Sequence, residues 1–303
     1  MNCPLCENSA IQILDTVFSR SLVAAYQNLY GFRPNIGAER FLYCSCARCG
    51  LRHFSPMVPG DELLYVELQK FEWYYLSDKA EYEIAQQYLQ KGSVLEVGAG
   101  KAEFASRCGD TCNYVGLEFN DRAVARAQEK GIKLLKEPIE SHARSNYEKY
   151  NNVLAFQVLE HVRNPRSFIQ ACVEALAPGG VMLFAVPDHD GISGIAQNNI
   201  LNLPPHHLTH WARRPLEFVA SYFDLDLVDI RAEKLAPLHR QWARKVSWEN
   251  WLRRFLHIQQ SMLDVGTLSR AVGKAAALLA RTAPISLTNV SGHTIVAVYQ
   301  KRS

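Results

Sequence analysis

The hydrophobic positions of this chain follow a repeating order: a short apolar run, a turn of small residues, then a stretch with helical spacing. Ser93-Val94-Leu95-Glu96-Val97 is apolar except for one acid and predicts a buried strand over residues 93–97, ended by Gly98-Ala99-Gly100. A helix-compatible run reaches Arg107. The pattern then predicts strands at 113–118, 131–135, 152–156 and 181–186, with helices at 121–130 and 165–177. Asn164-Pro165 opens the last of these helices and Pro178-Gly179-Gly180 closes it. Strands that alternate with helices predict an α/β fold built on a mostly parallel sheet. Two further strands, 225–230 and 294–300, stand too far apart for a hairpin loop, so residues 236–290 read as an insertion. Trp242, Val246, Trp251, Phe255, Ile258 and Met262 recur there at roughly helical spacing, and 268–279 is a short Ala-rich helix. Residues 62–90 hold no Pro or Gly and follow Asp61, a natural N-cap, which predicts amphipathic helices. Tyr65, Phe71, Trp73, Tyr74 and Tyr75 make that stretch a helix-docking face.

A chain of 303 residues has room for about two domains of average size. With 48% hydrophobic and 21% charged residues it is globular, which excludes disordered and fibrous classes. No apolar run is long enough to span a bilayer and the start is neither basic nor apolar, so the expected location is cytoplasmic. The net charge of +3 hides an asymmetry: residues 236–303 carry 10 Lys and Arg against 2 Asp and Glu. The positive charge is therefore a C-terminal property.

Five of the 8 cysteines lie among the first 49 residues, in two C-x-x-C pairs, Cys3/Cys6 and Cys46/Cys49. Two such knuckles can present four thiolates to one tetrahedral zinc ion, and a four-thiolate site has no open position, so its role is structural. Cys44 is an extra thiol that could replace Cys46. Cys108, Cys112 and Cys172 read as ordinary buried cysteines. The following Leu51–Pro59 stretch, with prolines at 56 and 59, is an extended connector.

The glycine turn after residue 97 lets a ligand approach the backbone at a strand's carboxyl end. Glu118, about 20 residues later at the end of the next strand, is placed to accept ribose hydroxyls. Turn and acid together indicate an adenine-nucleoside cofactor, and the turn at 136–140 is placed to border the adenine. A dinucleotide motif would need glycine at 103; Glu103 there would repel a pyrophosphate.

The set Leu95-Glu96-Val97-Gly98-Ala99-Gly100, Gly116-Leu117-Glu118, Val158-Leu159-Glu160-His161-Val162 and Leu176-Ala177-Pro178-Gly179-Gly180 resembles the class I S-adenosylmethionine-dependent methyltransferases. The resemblance covers residues 91–232. It implies a Rossmann-like, doubly wound, seven-stranded and mostly parallel sheet, with strands 225–230 and 294–300 as its antiparallel hairpin. It further implies that Glu96, Gly98 and Gly100 line the methionine end of S-adenosylmethionine, that Glu118 binds the ribose and that Gln157 lies against the cofactor. The third glycine frequent in the family is Ala102 here. The N-terminal zinc knuckle and connector resemble the zinc-ribbon subgroup, which includes C-methyltransferases of deoxysugar biosynthesis. Those enzymes carry a further C-terminal domain for which this chain has no room, so no substrate follows from the resemblance.

Leu203-Pro204-Pro205-His206-His207-Leu208-Thr209-His210-Trp211 follows the fifth strand, where an acceptor would meet the cofactor. An imidazole can take a hydroxyl's proton near neutral pH. His207, then His206, are the candidate bases, while His210 and His161 read as structural. No carboxylate stands near enough in sequence to favour a metal-assisted role for them. Asp188 and Asp190 could orient acceptor hydroxyls. The basic insertion suits a lid over the acceptor pocket, an interfacial membrane contact or an anionic partner.

The expected organisation is a zinc-binding knuckle and connector (1–60), a helical linker (61–90), the catalytic domain (91–235), a basic helical insertion (236–290) and a final strand (291–303). The expected function is methylation of a sugar-like or other small-molecule hydroxyl, with phosphorylated, nucleotide-linked and lipid-linked acceptors all suiting the basic segment and no nucleic-acid partner. C-methylation, an RNA methyltransferase and a non-catalytic cofactor- or RNA-binding module are the alternatives. Elemental analysis of the purified chain should find zinc that is lost when Cys6 and Cys46 are replaced by Ser; folded, zinc-free wild-type protein would contradict the knuckle.

Overall fold

The structure is a computed structural model and describes residues 1–71, 79–109, 112–196, 198–259, 261–288 and 290–303. Trp73, Tyr74 and Tyr75 lie outside the described residues. The chain begins with β1 (Ile11–Phe18), α1 (Ser19–Tyr30), β2 (Arg40–Cys46) and β3 (Arg52–Ser55), followed by α2 (Glu62–Leu68) and α3 (Ala80–Tyr88). The alternating part runs β4 (Gly92–Val97), β5 (Cys112–Leu117), α4 (Asp121–Glu129), β6 (Leu134–Leu135), α5 (Ile139–Ser145), β7 (Tyr150–Phe156), α6 (Pro165–Ala175) and β8 (Leu176–Pro187). Then come α7 (Ile192–Ile195), β9 (Thr209–His210), α8 (Arg213–Tyr222), β10 (Leu225–Ala232), α9 (Arg240–Phe255), α10 (Thr267–Thr282) and β11 (Thr294–Lys301).

The main sheet has seven strands in the order β10-β11-β8-β7-β4-β5-β6. Neighbours from β8 to β6 are parallel, and β11 runs antiparallel to both β8 and β10. This is the Rossmann-like methyltransferase architecture. The continuous apolar runs reflect burial on both faces. Val153 and Ala155 of β7 and Met182 and Phe184 of β8 join one core with Phe168 and Leu216 from α6 and α8. Leu154, Phe156 and Leu183 point the other way, toward Tyr82 of α3 and Phe104. Between β4 and β5 the chain makes only a 3₁₀ turn, Glu103–Arg107, in place of the expected full helix. The predicted strand 131–135 shortens to Leu134–Leu135 and the helix begun at Pro165 stops at Ala175, because Leu176 already pairs with Tyr150 of β7.

The first 60 residues hold more than a knuckle. β1, β2, β3 and β9 form a separate four-stranded antiparallel sheet, so the last of its strands comes from the 203–211 segment. Val17, Leu22, Tyr26, Phe41, Tyr43 and Phe54 pack beneath it with Leu64 and Leu68 of α2 and with Ile200 and Leu203. The Tyr43 and Phe54 rings lie 4.8 Å apart. The knuckle itself docks on α8: the Arg214 guanidinium donates to the carbonyls of Ala47 (2.8 Å) and Arg48 (3.0 Å).

The insertion is helical, but its burial inverts the pattern of its aromatic residues. α9 buries Ala243, Val246, Glu249, Asn250 and Arg253, leaving Trp251 and Phe255 exposed and stacked on each other, 5.2 Å between ring centroids. Arg253 is fully buried, paired with Asp264 (3.3 Å) and Glu249 (3.6 Å) and donating to Ser269. It braces α9 against α10 and is not available to an acceptor. Among the described residues no helix is long and apolar enough to cross a membrane. Replacing Phe54 by Ala empties the core shared by the N-terminal sheet and the 203–211 segment, so chemical denaturation should show a loss of about 3–5 kcal/mol; a loss under about 1 kcal/mol would mean that this core does not hold the two together.

Candidate active site

β4 lies centrally in the sheet between β7 and β5, so the turn after it opens at the carboxyl ends of the parallel strands. Gly98 there has φ +74°, and a Cβ on it would stand 2.4 Å from Val158 Cγ2, so the turn demands glycine twice over. Gly100 also has positive φ and donates its N–H to Glu118 Oε2 (2.7 Å). Glu118 Oε1 accepts from the Asn120 N–H (2.8 Å), while Asn120 caps α4 through the amides of Arg122 and Ala123. Each Glu118 oxygen keeps a second lone pair for a hydroxyl. Ala102 lies in the left-handed region at φ 56°, a conformation that glycine adopts without cost.

Glu96 is buried, and Tyr114 donates to its Oε2 (2.5 Å). Burial pushes its carboxyl up to about 8 against the pull of that hydrogen bond. Gln157, in the left-handed region at φ 57°, donates from Nε2 to Glu81 Oε1 (3.2 Å) and Thr294 Oγ1 (3.3 Å). Glu81 is itself buried and raised, chiefly by desolvation, and Glu160 is pushed up to about 8 for the same reason. Gln157 thus ties Glu81 to the exit of β7, where Glu160 also lies, and Val158 of that exit packs against Gly98 of the glycine turn. Buried carboxyls near a tight glycine turn suit a ligand with positive charge and no phosphate, as a sulfonium cofactor is. Glu81 was invisible as a site residue, because it stands in a stretch whose pattern spoke only of helix.

On the other side of Glu160 stand imidazoles. His206 Nδ1 lies 2.8 Å from the Leu201 carbonyl, His207 Nδ1 3.0 Å from Asn202 Oδ1, and His161 Nδ1 2.5 Å from the His206 carbonyl. His161, which reads as structural in the sequence, thus shares one cluster with His206 and His207, and the three offer nitrogens within 4.8 Å of one another. Burial pushes His206 and His207 well below the usual imidazole range and His161 down to about 4, so all are neutral at pH 7. Next to them the Tyr43 hydroxyl joins His210 Nδ1 (2.8 Å) and His189 Nε2 (3.1 Å), and His210 Nε2 meets the Asn202 carbonyl (2.7 Å). Tyr43 belongs to β2, so the N-terminal sheet reaches into the histidine layer.

At the far end of that sheet the four thiols of Cys3, Cys6, Cys46 and Cys49 are buried within 4.8 Å of one another. Cys3 and Cys49 approach to 3.5 Å, as do Cys6 and Cys46. Zinc–sulfur bonds near 2.3 Å put tetrahedral sulfurs about 3.8 Å apart, so the set suits the ion. Cys44 lies apart, its sulfur against Met1 and the Leu42 carbonyl, which leaves Cys46 as the fourth member.

A family model described as Methyltransferase domain matches residues 69–267. Ubiquinone biosynthesis O-methyltransferase of Salmonella arizonae is 36% identical over 107 residues, 33% of this chain and 44% of that protein. Its counterpart in Salmonella enteritidis is 35% identical over the same shares. The chain therefore matches less than half the length of these curated relatives. A SAM dependent methyltransferase from Archaeoglobus fulgidus superposes with a TM-score of 0.52 at 14% identity, covering 80% of this chain and all of that one, and so shares its fold.

The raised Glu96 sets a pH dependence. Its folded pKa of about 8 exceeds the ordinary 4.5, so the stability linked to its proton is full below about pH 4.5 and is lost as pH rises through 8. Without cofactor, Glu96→Gln should therefore melt higher than wild type near pH 9 and about level with it near pH 5. Parallel melting profiles for the two would contradict the burial of an uncompensated acid.

Proposed function

The chain belongs to the Methyltransferase domain family, and on that premise we propose that it methylates a hydroxyl of a small molecule with S-adenosylmethionine. The observation that carries this reading is that the exit of β7 joins the glycine turn, through Val158 beside Gly98, to the His206/His207 pair, through Glu160 and His161. Glu96, Gly98 and Gly100 would hold the methionine end, Glu118 the ribose hydroxyls, and Gln157 would border the reacting group. When bound, the cofactor supplies an electrophilic methyl group on a sulfonium.

The protein's own part is positioning and proton removal. With Nδ1 of His206 and His207 directed at carbonyl-type oxygens, Nε2 becomes the basic nitrogen of each ring. The acceptor hydroxyl gives its proton up at this pair as its oxygen attacks, and neutral imidazoles are in the right state to receive it. Holding hydroxyl and methyl in line accounts for much of the expected acceleration. The similarity to O-methyltransferases of Salmonella favours oxygen as the acceptor atom.

The acceptor's class is read from the surface beyond. A cleft of about 490 Å³ between α1, α9 and α10 is lined by Tyr30, Asn199, Trp242, Lys245 and Arg270, and also by Glu249 and Asp264. It contains none of the proposed cofactor residues, but Asn199 in its wall accepts from the Asn202 N–H (2.9 Å), which ties it to the histidine segment. Its two basic and two acidic groups balance, so a phosphorylated or lipid-linked acceptor is favoured by the basic charge of residues 236–303 as a whole, and the exposed Trp251 and Phe255 allow a peripheral membrane contact. The cysteine cluster would hold a structural zinc.

An acceptor screen that follows S-adenosylhomocysteine release over sugars, nucleotide-sugars and lipid-linked intermediates tests the reading. With the acceptor found, His207→Ala should lower kcat by about 100-fold or more while leaving S-adenosylhomocysteine affinity unchanged. Full activity of both His206→Ala and His207→Ala would remove these residues from the chemistry.

A further inference from the structure

We propose that His161, His206 and His207 bind a transition-metal dication, with Glu160 supplying the negative charge beside it. The three imidazoles come from two distant segments: the exit of β7 supplies His161 and the loop before β9 supplies the other two. The fold also brings in the carboxylate that sequence spacing lacked. Glu160 Oε1 lies 3.7 Å from His161 Nε2, and among the described residues neither Glu160 oxygen has a hydrogen-bond partner. A fully buried carboxyl without a donor is costly, and a cation beside it would compensate that cost.

The orientation of the rings supports ligation. Each Nδ1 faces an oxygen that can only accept, from Leu201, Asn202 or His206, so each Nδ1 carries the proton and each Nε2 the lone pair. Metal-bound histidines are held in this way by their outer partners. Bonds near 2.1 Å put tetrahedral nitrogens about 3.4 Å apart, and each of the three rings has a nitrogen within 4.8 Å of one on the others, so small ring rotations would close the set on an ion. Three neutral imidazoles and a carboxylate select zinc, iron, cobalt or nickel over magnesium or calcium. Three histidines also leave a coordination position open, and the partial exposure of His161, 19% for its side chain, leaves a way in for a further ligand.

The inference deepens the reading above and rests on it for its catalytic consequence alone. An acceptor hydroxyl coordinated at the open position loses its proton more readily. With the ion bound, the Nε2 lone pairs that would otherwise take the proton are occupied, so the proton would leave to solvent, while the oxygen's electron pair forms the new C–O bond and the breaking C–S bond leaves its pair on sulfur.

Cobalt(II) is the probe, added to the full chain after chelation. The wild type should take up about two equivalents, one with the intense thiolate-to-cobalt absorption of the cysteine cluster and one without it. His161→Ala and His207→Ala should each abolish the second and keep the first, whose absorption reports that the variant is folded. Asn202→Ala, which removes only the oxygen at His207 Nδ1, should weaken the second site by about 10- to 100-fold. Uptake of a single, thiolate-bound equivalent by the wild type would overturn the proposal, as would a second equivalent that survives both His variants. S-adenosylhomocysteine binding measured on the same samples separates the two readings: its absence would sink the methyltransferase reading, whatever the cobalt does.

Discussion

The histidine half of the candidate site depends on how the 203–211 segment satisfies its backbone. A buried loop needs a partner for nearly every amide and carbonyl, and this one finds them on two sides. Its Leu208 carbonyl accepts from the Phe54 N–H (2.9 Å) and its Pro205 carbonyl from Gly60 (2.8 Å), while the Leu208 N–H donates to the Glu160 carbonyl (2.8 Å). The segment is thus a seam between the N-terminal sheet and the exit of β7. His206 and His207 sit on that seam, so the cofactor-binding sheet alone could not place them. The four cysteines lie at the other end of β2 and at the start of the chain, where a bound ion would fix the sheet that holds the seam.

Charge explains what the seam is for. Glu81, Glu96 and Glu160 are all buried with raised carboxyls, and the neighbouring imidazoles are all pushed toward neutrality. Such an arrangement costs stability in the empty protein and is relieved by positively charged ligands. A sulfonium cofactor on the glycine-turn side and a dication on the histidine side are both of that kind. Destabilised buried polar groups concentrated at one end of a sheet mark the working part of the molecule.

The parallel sheet was legible in the sequence because strands buried on both faces read as unbroken apolar runs, as at Val153–Phe156 and Met182–Val186, and because the glycine turn and Glu118 stand at fixed distances along it. The four thiols were legible from their spacing. The N-terminal sheet was not: Ile11–Phe18 mixes exposed and half-buried positions, and β9 is two residues long, so neither has a period to detect. The histidine cluster was half legible, since His206 and His207 announce themselves but His161 meets them only through the seam. The aromatic stripe of α9 misled because the helix is held by Arg253 and its ion pairs instead of by Trp251 and Phe255.

Whether the N-terminal sheet, with an ion at its cysteine cluster, holds the histidine segment in place is tested most directly by amide hydrogen exchange on the full chain with that cluster loaded and then stripped. Protection at Phe54 and Leu208 should fall together when the metal is removed, while the amides of β4 and β7 keep theirs. Unchanged protection at Leu208 in a stripped protein would contradict the account, because the segment would then be held by the main sheet alone.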